Sequence, residues 1–128
     1  MLDTVTAANY RVVGGAMLLA SGRPLPALPK ILASHAYLVH AAEGEFFRKV
    51  VTEACESCHI PVIGIREREL DEQADATFGK VAARVRQDIS NLGKTVGSPW
   101  TQDEKAAALA GLIACRAQAR SNASQRRC

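Results

Sequence analysis

Hydrophobic and polar positions alternate with helical period over much of the chain from residue 43 onward and with no clear period before it. In 43-EGEFFRKVVTEACESCH-59 the apolar positions fall in two rows, Phe46–Val50–Ala54–Cys58 and Phe47–Val51–Cys55, with Arg48, Lys49, Thr52, Glu53, Glu56 and Ser57 opposite. Spacing of i, i+4, i+8 predicts an amphipathic helix whose buried stripe includes both cysteines. The run 60-IPVIGI-65 that follows is short, apolar and β-branched, the pattern of a buried parallel strand. Further on, Phe78, Val81, Ala82, Val85, Ile89 and Leu92 predict a second helix over about 76–92, with Gly93 placed as its C-cap. A third helix is predicted to open at Thr101, whose spacing to Glu104 makes a T-x-x-E capping box. Its apolar face is Ala106, Leu109, Ala110, Ile113 and Ala117.

The residues before 43 read differently. YRVVGGAMLLA (10–20) predicts a strand or bent hairpin arm, interrupted by Gly14-Gly15. SGRPLPALP (21–29) carries three prolines and predicts a loop. KILASHAYLVH (30–40) predicts a strand in its first half, ending between Ser34 and Tyr37. A strand, a helix and a second strand with short connections form a crossover unit. The charged stretch RERELDEQAD (66–75) predicts a strand end and solvated loop.

A length of 128 residues bounds the fold to one domain, large enough to bury a core without disulfides. The expected division is a single α/β domain over residues 1–120 and a flexible basic tail over 121–128. No apolar run approaches the roughly 18 residues that span a bilayer, and MLDTVTAANYR has no signal-peptide pattern. The expectation is a cytoplasmic protein with reduced cysteines and no membrane partner. Aromatics at 5% exclude extensive base stacking, and a net charge of +3 is too small to identify a nucleic-acid partner alone.

Cys55-Glu56-Ser57-Cys58-His59 matches the C-x-x-C-H pattern of covalent haem attachment, and its cysteines match redox or zinc motifs. Its position at a helix C-terminus opposes thiolate formation, and zinc would need two further ligands at no recognisable spacing. The reading is core cysteines and no haem.

The acids near predicted strand ends carry the other candidate chemistry. In open α/β sheets ligands gather at the carboxyl ends of strands. Ser34, His35, His40, Glu43 and Glu45 lie between a predicted strand and helix, and Glu67 and Glu69 follow the next strand. Converging carboxylates there would hold Mg²⁺. Asp103 sits in the first turn of the last helix, where the helix dipole alone favours an acid.

On 60-IPVIGIREREL-70 and 103-DEKAAALAGLIA-114 the chain resembles, over residues 30–115, the ribonuclease-H-like Holliday-junction resolvase group, which includes the RuvC resolvases and the YqgF-type proteins. The resemblance implies a mixed sheet flanked by helices around a ribonuclease-H-like core. The first-strand aspartate of that fold could only be Asp3, which has too little strand before it, so the expectation is a core lacking the N-terminal strand. It implies two Mg²⁺ ions clamping a phosphodiester of structured nucleic acid. Asp103 matches the last-helix acid, with Glu43 and Glu67 as substitute metal ligands and His35 as an auxiliary catalytic residue. Lys80, Arg84, Arg86 and Lys94 are the expected phosphate contacts. The second acid of the last helix falls near Ala106, and the strand that should end in an acid reads 33-ASHA-36. The alternative is a non-enzymatic interaction module, a homodimer, on the same fold.

Overall fold

The computed structural model describes residues 2–20, 24–34 and 36–125. Two short strands, β1 (Gly15–Leu19) and β2 (Val62–Arg66), pair in parallel, with Ala16 opposite Ile63 and Leu18 opposite Ile65. Around them lie α1 (Leu2–Ala7), α2 (Leu28–Leu32), α3 (Ala36–Ser57), α4 (Leu70–Phe78), α5 (Ala82–Val96) and α6 (Gln102–Gln125). Among the described residues the sheet has these two strands only, so the architecture is a helix-rich α/β domain with a small parallel sheet. A sheet this small is not stable alone. It is held by the helices on its face.

Strand alternation explains which face they use. Ile63 and Ile65, with Ala16 and Leu18 beside them, point into a core completed by Leu70 and Ala74 of α4, Ile89 of α5 and Leu109, Ala110 and Ile113 of α6. Ile65 is 1% exposed and is the most completely enclosed large side chain. The predicted strand over 60–65 is therefore correct in kind and starts two residues later.

Four local expectations are corrected. The described residues of 30–40 form no strand: α2 covers Leu28–Leu32 and α3 already begins at Ala36. Pro29 sits in the first turn of α2, where proline's fixed φ fits and no helical N–H is lost. The charged stretch after β2 is not a loop either. Glu67–Glu69 form one 3-10 turn, and Leu70, Ala74 and Phe78 then place one apolar row of α4 against the core. The helix expected over 76–92 divides at Gly79, whose φ of 56° only glycine adopts readily, and a 3-10 turn over Gly79–Val81 leads into α5. Gly93 is not a cap. It lies inside α5 because Trp100 packs on it: a Cβ there would sit 2.6 Å from Trp100 Cδ1. The indole Nε1 donates a hydrogen bond to the Ile89 carbonyl at 2.9 Å, fixing the ring in place. The cap is Gly97, at φ 89°.

The capping box forms as expected. The Thr101 amide donates to Glu104 Oε2 at 2.6 Å, and the Asp103 amide donates to Thr101 Oγ1 at 3.3 Å. The helix α6 continues through Gln125, into the span read as a tail.

The largest correction concerns α3. It is a helix, but it buries none of its residues. Its half-buried positions include Ala41, Gly44, Arg48, Thr52 and Cys55, spaced along a single face. That small and polar face meets α2 and the strands. Phe46, Phe47, Val50 and Val51 turn outward, at 63%, 64%, 43% and 47% exposure. Cys58 is exposed and Cys55 only half-buried, so the cysteines are not in a core stripe.

Candidate functional site

The carboxyl ends of β1 and β2 open onto a cavity of about 550 Å³. Its apolar lining is Leu18 from β1, Leu70 from α4, Ile89 from α5, and Ala106 and Leu109 from α6. Its polar lining is Glu67, Asp71, Arg86 and Ser90, with Gln102, Asp103 and Lys105 from the first turns of α6. The site exists because β2 ends into a 3-10 turn that presents Glu67, while the Trp100 contact and the Thr101 cap start α6 beside it.

Glu67 and Asp103, expected together from distant parts of the sequence, do line one cavity. Glu43 is not among its lining residues. It lies on the second turn of α3, exposed, with its Oε2 3.1 Å from His40 Nδ1. The early start of α3 explains this: Glu43 is carried inside a helix rather than at a strand end. His35 lies outside the described residues. Among the described residues, no three acidic, histidine or cysteine side chains gather closely enough to hold a metal ion.

Arg86 is already engaged. Its Nε donates to Asp71 Oδ1 at 2.9 Å, and its Nη2 to the Asp71 carbonyl at 3.0 Å and to Asp75 Oδ1 at 2.8 Å. The bond to Asp75 first, then Asp71, holds its pKa above the ordinary value against partial desolvation. It ties α5 to α4 rather than facing solvent as a free phosphate contact. Arg84 is 3.8 Å from Asp88 on its own helix, an exposed pair. Lys80 and Lys94 are exposed. Asp71 and Lys105 were not singled out from sequence. Asp71 is four residues after Glu67, one helical turn on, and that spacing was the available signal.

The Cys-x-x-Cys-His run has a structural explanation. The amide of His59 donates to the Glu56 carbonyl and that of Ile60 to the Cys55 carbonyl, both at 2.9 Å. This is the Schellman pattern that ends a helix, with His59 at the left-handed position usually held by glycine, at φ 57°.

Among the described residues, no helix is long and apolar enough to cross a membrane. No protein-family model, curated protein or solved structure matches the chain.

Proposed function

We propose that the chain is a non-enzymatic interaction module that pairs with a second copy of itself through the outer face of α3. The observation that carries this reading is the inverted helix. Two phenylalanines and two valines on consecutive turns face solvent while alanine, glycine and threonine face the domain. An aromatic side chain has about 150–250 Å² to bury, so this stripe offers roughly 400–450 Å² of apolar surface per copy. A standard interface buries about 800 Å² per partner, and a little over half of that is apolar. The stripe therefore supplies the apolar share of one ordinary dimer interface. A helical ridge of i, i+4 rows also packs into the grooves of its own copy across a two-fold axis. Sedimentation should show a dimer at micromolar concentration, and the double variant Phe46→Ser/Phe47→Ser should be a folded monomer. A native chain that stays monomeric at 100-fold higher concentration overturns the reading.

A second reading rests on a different observation. Glu67 and Asp103 share a cavity with Asp71 at the strand ends, which supports a ribonuclease-H-like relative with Mg²⁺-dependent phosphodiester chemistry on structured nucleic acid. Here Lys80, Arg84 and Lys94 would meet phosphates. Cleavage of branched DNA or RNA with Mg²⁺ or Mn²⁺, abolished by Asp103→Asn, is the expected result. Intact substrate removes this reading and leaves the first untouched.

A further inference from the structure

The cavity at the strand ends has two kinds of wall. Leu70, Ile89 and Leu109 are buried core residues and form an apolar floor. Above them Glu67 and Asp103 are exposed acids on separate elements. Neither side chain makes a hydrogen bond or ion pair among the described residues.

Summed over its walls, the charges around the cavity favour a cation. From α4 come Asp71 and, behind it, Asp75; from α5 comes Arg86, which both of them hold. That group keeps a net negative charge. The 3-10 turn contributes Glu67, and α6 contributes Asp103 and a single Lys105. The positive end of the α6 dipole is offset by Glu104, which is bound to Thr101. Carboxylates thus outnumber the cations around the opening.

We propose that this cavity binds a small organic cation, a primary amine or guanidinium carried on an apolar body. The body lies on Leu70, Ile89 and Leu109, and the cationic head sits between Glu67 and Asp103. A bare divalent metal fits less well, because the floor side chains are apolar and, among the described residues, no three ligating groups converge. A volume near 550 Å³ is within the usual range of small-molecule sites, and the carboxyl ends of parallel strands are where such sites form.

The single tryptophan is the reporter, since Trp100 bonds to the carbonyl of Ile89 in the cavity floor. Phenethylamine is titrated into the full chain, following indole fluorescence and the amide resonances of Ile89, Gln102 and Leu109. Phenethyl alcohol and phenylpropionate serve as neutral and anionic counterparts. Saturable binding is expected for the amine, at least tenfold weaker for the other two. Glu67→Gln and Asp103→Asn should each weaken it three- to tenfold, and Glu43→Gln should change nothing. Nα-acetyl-arginine amide, as a second probe, tells a protein side chain from a free amine by which binds more tightly. Absence of saturable binding by both cations overturns the proposal. So does equal affinity for the alcohol, undiminished binding in both acid variants, or displacement of the amine by millimolar Mg²⁺ with metal-like shifts at Glu67 and Asp103. Both acids are exposed, so the variants should keep the native melting temperature, which is checked alongside.

Discussion

The two long helices, α3 and α6, differ in where their apolar residues go. Helix α6 buries Leu109, Ala110, Ile113 and Ala114 against β1, α4 and α5. Helix α3 buries nothing and turns Phe46, Phe47, Val50 and Val51 away from the domain. Both carry apolar residues at helical spacing. The contrast shows that such a pattern marks a helix with an apolar face, and not which way that face turns. In α6 the cover is the same chain. For α3 the proposed cover is another copy.

The sharpest test compares one residue from each helix. Ile113→Ala removes a buried side chain from a close-packed core and should cost about 2–4 kcal/mol in urea unfolding. Phe47→Ala, measured at concentrations where the chain is monomeric, should cost under about 0.5 kcal/mol, as surface changes usually do. Equal costs would mean that α3 is covered within the monomer, and the contrast would collapse.

The next effect lies at the join between α5 and α6. Alanine is intrinsically better than glycine inside a helix by about 1 kcal/mol. At Gly93 the new Cβ would overlap Trp100 at 2.6 Å, and overpacking costs about 1–3 kcal/mol. Gly93→Ala should therefore destabilise the domain, with a shifted Trp100 emission maximum. A stabilised variant would show that the indole does not hold α6 in place.

A smaller effect follows pH. Hydrogen bonds from the Thr101 side chain and then its amide hold the Glu104 carboxyl below its ordinary range. A group with a depressed folded pKa stabilises fully above its unfolded value, and the stabilisation is lost as pH falls through the folded one. Stability should therefore drop on acidification below the usual glutamate range. Glu104→Gln should reduce that drop and leave α3 unaffected, read as melting temperature against pH. An unchanged profile would remove the capping box from the forces that anchor α6.

How much of this was legible follows the same divide. The run Ile60–Ile65 and the Thr101–Glu104 box were readable because strand composition and capping chemistry are local. Glu67 and Asp103 were readable as partners because strand ends and the opening of the last helix converge by topology. Helix α4 was hidden because its single apolar row, Leu70–Ala74–Phe78, is embedded in charge. Residues 28–40 were misread because their Ile, Leu, Val and Tyr favour strands, while helix α3 extends back to Ala36 and takes Glu43 with it. Helix α3 turns Ala41, Gly44, Arg48, Thr52 and Cys55 toward the domain, and no local signal in the sequence marks that mixed face as the inner one. Nothing in periodicity distinguishes an inner stripe from an outer one.

The smallest predicted effect is stabilising and lies where α3 ends. His59 holds the left-handed position of the Schellman cap. A residue with a Cβ pays about 1 kcal/mol there, and glycine avoids this at some entropic cost in the unfolded chain. His59→Gly should therefore raise stability by roughly 0.5–1 kcal/mol. It leaves both Cys55 and Cys58 in place, so it also separates the cap from any chemistry of the Cys-x-x-Cys-His run. A destabilised His59→Gly chain would mean that the imidazole itself makes a contact holding the end of α3. The helix would then be anchored to the domain at its C-terminus more firmly than its exposed outer face implies.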